Sequence, residues 1–361
     1  MARRSCCRPF DRLIAPVKSV RFHQHGGPEV LRFEDAPDPV PEPGEVLVRV
    51  RACALNHLDL WQRRGLERVK IPLPHISGSD VAGEIVASAS LPSSTQAPIG
   101  QRVMLQPGLS CGHCDACLSG RDNECAQYEL LGYLNHGGGY AELVKVPAEN
   151  LVPLPDHVGY IEAAAFPLTF LTAWHMLITR ARLRRGEDVL VLAAGSGVGQ
   201  AAIQIAVLFG ARVIATAGSQ AKLERARALG AHDLIHHHEQ DIVQEIKRLT
   251  RRRGVDVVIE HVGAATWAKS VRVLARAGRL VTCGATTGRD GSLDLRALFA
   301  KQLSILGSYM GTKGELLEVS RLFFSGQLRP AIDCTFPLAK AAEAQQRLES
   351  SEQFGKIVLE I

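Results

Sequence analysis

The sequence predicts an α/β protein of two domains, one β-rich and the other built on a doubly wound parallel sheet. Three observations predict it. Short β-rich runs punctuated by Gly and Pro fill Val17 to about Leu154. Regular strand and helix alternation takes over after Gly186. That alternation opens on a strand, a glycine turn and a helix in succession, Val189 to Ala206. With 361 residues and 46% hydrophobic side chains, the chain has enough apolar matter for two cores.

Residues 1 to 16 come first, with Arg3, Arg4, Arg8 and Arg12 among Cys6, Cys7 and Pro9 and only Asp11 acidic. The stretch is basic like a transit peptide but lacks serine richness and an amphipathic period, so it reads as a leader before the first strand. Strands are expected at Val17 to Phe22, Glu45 to Arg51, Gly83 to Ser88, Arg102 to Leu105 and Tyr140 to Val146, together an antiparallel domain. Pro153-Leu154-Pro155 makes a stiff joint, and Glu162 to Ala181 reads as one long helix. Six strands follow, at Val189 to Ala193, Arg212 to Thr216, Asp233 to Ile235, Val255 to Ile259, Arg279 to Cys283 and Leu303 to Leu306. The helices Glu315 to Phe324 and Lys340 to Glu349 and the strand Ile357 to Ile361 return to the first domain, because six strands already complete the sheet. The domains are therefore 17–165 with 312–361, and 166–311.

Four cysteines, Cys111, Cys114, Cys117 and Cys125, interrupt the first domain within a lobe at 107–126. Two-residue gaps let successive sulfurs turn to one centre, so the spacing predicts one structural zinc per chain. Disulfides are the alternative, but the other cysteines are scattered and no clear export signal is present. An iron–sulfur run would place its fourth cysteine after three residues, before proline; here seven residues intervene and Ala126 follows. Thiolate ligands call for a reducing compartment, taken as the cytoplasm. The net charge of +5 is small and interleaved, which excludes a nucleic-acid stripe, and no apolar run is long enough to span a bilayer.

The glycine turn holds Gly195, Ser196, Gly197, Val198 and Gly199, which let a pyrophosphate approach the amides of a helix start. About twenty residues on, where a carboxylate would bind a free ribose 2′-hydroxyl, stands Ala217-Gly218-Ser219. A 2′-phosphate meets no repulsion there and gains Ser219, Lys222 and Lys356, so NADP(H) is expected over NAD(H). The run His236-His237-His238 follows a strand and is read as an exposed loop.

With these motifs stand Pro-Gly-Glu-Val-Leu-Val-Arg-Val at 43 to 50, Asn56-His57-Leu58-Asp59, Gly78-Ser79-Asp80-Val81-Ala82-Gly83 and Phe354-Gly355-Lys356-Ile357-Val358-Leu359. Together they resemble the medium-chain dehydrogenase/reductase superfamily, over nearly the whole chain from Val17. The resemblance implies a GroES-like catalytic domain, a Rossmann domain, a cleft between them, a small-molecule substrate and a dimer or tetramer. It also implies that backbone at Gly284, Ala285, Ser308 and Tyr309 holds the nicotinamide. Zinc alcohol dehydrogenases of the superfamily bind a second, catalytic zinc, and the positions matching its ligands hold Asn56, Ser79 with Asp80, and Leu168. Only Asp80 is a firm ligand, which moves the resemblance towards the quinone oxidoreductases, whose Asn-x-x-Asp pattern Asn56 and Asp59 reproduce.

The expected reaction is NADPH-dependent hydride transfer to a quinone, enone or reactive carbonyl. Asn56 would donate to the acceptor oxygen or the nicotinamide amide, His57 or water would supply the proton, and Asp59 would order the loop. Plainer roles stand beside these: Asn56 as a turn cap, His57 as a surface side chain, Asp59 as an N-cap. Trp61 and Phe170 are expected to wall the acceptor pocket. Two rivals are a zinc alcohol dehydrogenase using nonstandard ligands such as His57 with Asp80, and a non-catalytic NADPH-binding protein like the crystallin relatives.

Overall fold

The computed structural model describes residues 16–67, 69–92 and 96–361. The leader at 1–16 lies outside them except for its last residue. Six parallel strands make the second sheet, Asp188–Val191, Arg212–Ala217, Asp233–His236, Val255–Glu260, Leu274–Thr282 and Ser304–Gly307. Their spatial order is third, second, first, fourth, fifth, sixth. The order reverses between the first and fourth strands, the crevice where doubly wound sheets bind ligands. The central strands are continuous apolar runs because helices cover both faces; Val189, Leu190 and Val191 are all fully buried.

The first domain is a seven-stranded sheet centred on Glu45–Ala54, which pairs with Asp80–Ser88, Leu143–Pro147 and Lys356–Glu360. Val358 lies opposite Ala54, so the chain end does return to this sheet. The sheet is mixed rather than wholly antiparallel, because Ile332–Pro337, a strand the sequence reading omitted, runs parallel to Lys356–Glu360. Val17–Phe22 pairs instead with Leu31–Ala36 in a separate two-stranded ladder.

The expected single helix at 162–181 is three pieces: Tyr160–Ala164, Pro167–Trp174 and a π-helical turn His175–Arg180. Pro167 explains the first break, since it has no N–H to continue a helix and is favoured at a helix start. Phe170 is also corrected. It is fully buried and stacked on Phe166 at 4.4 Å, so it belongs to the core and walls no pocket. That core is continuous across both sheets, from Ala52 and Met104 through Leu171 to Val191, and gives the interdomain cleft a packed floor. Among the described residues no helix is long and apolar enough to cross a membrane.

Candidate active site

The glycine turn lies at the crevice predicted by the strand order. Ala193 turns the chain with φ 43°, and Ser196 caps the helix Gly197–Leu208 by accepting the Gly199 N–H at 2.8 Å. A Cβ on Gly199 would stand 2.4 Å from the Ala193 carbonyl oxygen, and one on Gly197 would stand 2.7 Å from Thr169 Cγ2. Only glycine fits either position. Ser196, Gly197 and Val198, at the start of this helix, line a cavity of about 190 Å³, and amides at a helix start are groups that suit a pyrophosphate.

On the adenosine side, Ser219 caps the helix Gln220–Ala228, and the Lys222 ammonium donates to Ser351 O at 2.5 Å. The histidine run is not the exposed loop expected. His236 ends a strand, His236 and His237 are half-buried, and only His238 is exposed. A Cβ on Gly218 would lie 2.7 Å from His238 Nε2 and 3.1 Å from His237 Nε2, so both rings stand against the turn that lacks a carboxylate. Burial, helped by neighbouring His238, His236, Lys269 and Lys222, holds His237 below the ordinary imidazole value.

Facing the glycine turn, Asn56 follows the strand Glu45–Ala54 by two residues and is the N-cap of the helix His57–Arg64. Its neighbours form a closed polar knot. Lys356 Nζ donates to Asn56 Oδ1 at 2.6 Å, to Asp80 Oδ2 at 2.8 Å and to Leu55 O at 2.7 Å. Asn56 Nδ2 donates to Asp80 Oδ2 at 2.9 Å, and the Leu168 N–H donates to Asp80 Oδ1 at 2.8 Å. Two of the positions matched by sequence to metal ligands, Asn56 and Asp80, thus close on an ammonium, and a third, Leu168, reaches Asp80 through its backbone. Lys356 is 2% exposed and all three of its protons are engaged, so it cannot grip a 2′-phosphate as the sequence reading had it.

Asp59 is fully buried, where Oδ2 accepts the Asn56 N–H at 2.8 Å and the Tyr140 hydroxyl at 3.1 Å. It therefore orders the loop through Asn56, and it also occupies the third position of the helix, as an N-terminal capping carboxylate does. Burial pushes its carboxyl up to about 6, against the opposing hydrogen bonds. Its ionised form holds the Asn56 backbone, so activity is expected to fall as pH drops below about 6. Asp59→Asn should remove that acid limb from the kcat profile; an unchanged limb would assign it elsewhere.

His57 is pushed down to about 4, chiefly by burial and then by His261, Lys356 and Arg64. It is a neutral imidazole at neutral pH. His57, Asn56, Trp61, Thr172, His261 and Lys356 line an inner cavity of about 190 Å³. This opens past Trp61, Cys283, Gly284 and Tyr309 into an outer cleft of about 980 Å³, which Ala285, Ser308, Asn123 and Arg180 also line. The loops carrying Gly284, Ala285, Ser308 and Tyr309 thus flank the space beyond the glycine turn.

The four cysteine sulfurs lie within 4.8 Å of one another, with Cys114 and Cys117 at 3.5 Å and Cys111 and Cys117 at 3.9 Å. Sulfurs about 2.3 Å from a tetrahedral zinc stand about 3.8 Å apart, so the set fits that ion. Asp122 in the lobe accepts the Lys313 N–H at 3.1 Å, and Asn123 Nδ2 donates to Tyr309 O at 3.2 Å. The lobe is thereby fastened to the rim of the cleft. One pair escaped the sequence reading: His175 Nδ1 lies 2.9 Å from Glu315, which Thr179 also contacts. The Thr312-x-x-Glu315 capping signature was visible, but its partner 140 residues away was not.

This architecture defines a dinucleotide-dependent dehydrogenase or reductase, and comparison with known proteins gives the same class. Residues 42–156 match the alcohol dehydrogenase GroES-like domain and residues 197–325 match the zinc-binding dehydrogenase domain. The chain belongs to the medium-chain dehydrogenase/reductase family and is an oxidoreductase. It is 30% identical to quinone oxidoreductase of Homo sapiens, over 95% of this chain and 97% of that protein. With quinone oxidoreductase of Pseudomonas aeruginosa it shares 33% identity, over 95% and 99% respectively. A crystal structure of an NAD-dependent alcohol dehydrogenase superposes with TM-score 0.90 at 46% identity, covering 95% of this chain and 99% of that one. Members of this family generally bind NAD(P).

Proposed function

We propose that this oxidoreductase uses NADPH to deliver hydride to a quinone, an enone or a reactive carbonyl, without a catalytic metal. One observation carries the reading: Asp80, the single firm ligand among the matched positions, already has both oxygens engaged by Leu168, Asn56 and Lys356. A catalytic zinc needs three protein ligands and an open position. An asparagine amide and a leucine do not supply the other two.

When bound, the nicotinamide supplies the hydride. The chain's residues do the rest. Asn56 presents an amide hydrogen to the acceptor oxygen where negative charge develops. His57, uncharged, relays a proton from water to that oxygen. The acceptor therefore gains one hydride and one proton, and the cofactor is left oxidised. Trp61 and the packed floor keep bulk water from the reacting atoms. Asp59 fixes the backbone that carries Asn56. Cys111, Cys114, Cys117 and Cys125 would hold one structural zinc.

Metal counting beside an acceptor screen tests the reading. One zinc per chain with chelator-resistant reduction of quinones or enones is the expected result. Two zincs with alcohol oxidation would establish a zinc alcohol dehydrogenase instead, and tight NADPH binding without turnover a non-catalytic binding protein.

Cofactor choice rests on the carboxylate-free turn at 217–219, on Lys222, and on His237 and His238 facing Gly218. A bound 2′-phosphate favours protonated imidazole, whereas free His237 is held below its ordinary value. NADPH affinity should thus rise roughly tenfold from about pH 8 to about pH 5.5, with NADH affinity nearly flat. Titrations of both cofactors check it, and parallel curves would refute it. Self-association into a dimer or tetramer is supported by Leu295 and Phe299, 68% and 72% exposed, on the helix Leu295–Ala300 that precedes the edge strand Ser304–Gly307 in the chain. Light scattering reads it directly. The open thiolate cluster suits a reducing compartment such as the cytoplasm.

A further inference from the structure

We infer that Lys356 and Asp80 act as a fixed-charge clamp that orients and polarises the Asn56 amide as the oxyanion donor, with Lys356 a positioning residue. The inference rests on the hydride-transfer reading above and deepens it.

Donor and acceptor chemistry fixes which atoms face which. An ammonium only donates, so the atom of Asn56 at 2.6 Å from Lys356 Nζ must be its oxygen. An ionised carboxylate only accepts, so the atom at 2.9 Å from Asp80 Oδ2 must be the amide nitrogen. The two partners, themselves 2.8 Å apart, leave the asparagine one orientation. Its turned-over form would set oxygen against oxygen and donor against donor. Of the two Nδ2 hydrogens, Asp80 takes one, and among the described residues nothing accepts the other. Asn56 lines the inner cavity, so that hydrogen is the one available to an acceptor.

The clamp also sets the strength of the donor. A cation on the amide oxygen draws electron density from the nitrogen and sharpens the remaining N–H; the Asp80 carboxylate on the other N–H works the opposite way but is itself neutralised by the same ammonium 2.8 Å away. Lys356 and Asp80 are 2% and 0% exposed, so water does not screen them. The ammonium itself cannot reach substrate, since Leu55 O, Asn56 and Asp80 use its three protons. It binds two of the positions that matched metal ligands, Asn56 and Asp80, and its charge reaches the acceptor through one amide.

Lys356→Met alone leaves a buried carboxylate without its countercharge and is prone to misfold. The paired variant Lys356→Met/Asp80→Asn removes both charges at nearly constant volume and is the informative one. Two measurements are made on wild type, on Asn56→Ala, on the paired variant and on the three changes combined: kcat and KM, and binding of 4-nitrophenolate to the NADP+ complex as an oxyanion probe. The expected loss is about 10²-fold in kcat and about 10-fold or more in phenolate affinity for the paired variant, with NADP+ affinity unchanged. Combining it with Asn56→Ala should add little, because both remove one donor.

Wild-type phenolate affinity in the paired variant, fully additive losses, or no phenolate binding by wild type would each overturn the inference. Absence of quinone or enone turnover, with phenolate binding still lost as described, would fault the acceptor class alone. Turnover without any effect of the paired variant would fault the clamp alone.

Discussion

Asn56→Ala should lower kcat for quinone or enone reduction by about 10²- to 10³-fold while leaving the KM for NADPH close to that of the parent. The asymmetry follows from where the side chain is. Asn56, 7% exposed, reaches the inner cavity from the first domain, whereas Ser196, Gly197 and Val198, suited to a pyrophosphate, line that cavity from the second. A donor aimed at developing charge is felt in the transition state and little in cofactor binding. Steady-state kinetics with NADPH and a quinone series check it. A drop confined to KM would make Asn56 a binding group, and a drop below tenfold would remove it from the chemistry.

Replacing a lobe cysteine is the second large perturbation. Cys114→Ser should release the zinc, since three thiolates no longer close the tetrahedron, and a structural zinc contributes on the order of 10 kcal/mol to the folding of small zinc domains. Here the loss falls first on residues 111–125, which have few apolar contacts of their own: Leu118 is 75% exposed, and Cys125 is the buried cysteine of the four. Limited proteolysis should cut within this stretch in the variant and not in the parent. Because Asn123 and Glu124 line the outer cleft and Asp122 holds the Lys313 N–H, kcat/KM should also fall, by roughly tenfold, an estimate scaled to the loss of one or two polar contacts. Metal analysis accompanies both assays. Retained zinc, or zinc loss without proteolytic opening, would contradict the structural role.

Much of the fold was legible because local patterns dictated it. Continuous apolar runs such as Val189 to Ala193 are what a sheet covered on both faces demands, and Gly197 and Gly199 mark places where the Thr169 side chain and the Ala193 carbonyl leave no room for a Cβ. The cysteine spacing was legible for the same reason: four ligands within fifteen residues need little help from the rest of the chain. What escaped depends on contacts distant in sequence. Lys356 sits in a motif typical of the family, yet its partners Leu55, Asn56 and Asp80 lie about 276 to 301 residues away, and nothing local tells a buried ammonium from a phosphate ligand. Phe170 shows the same difficulty in reverse, since an aromatic on an interdomain helix serves a core or a pocket equally well until Phe166 is seen stacked against it. Pro167 was readable and should have split the helix; the apolar spacing on either side of it hid the break.

The narrowing from the 980 Å³ outer cleft to the 190 Å³ inner cavity has a consequence for chemical taste. On the proposed reading a substrate shares the inner cavity with the cofactor at Ser196 to Val198, and should enter head first, with a flat, compact group reaching Asn56 while whatever it drags behind stays in the vestibule among Arg180, Tyr309 and the cysteine lobe. Discrimination between compounds should therefore be strict at the reacting ring or double bond and lenient towards long appendages.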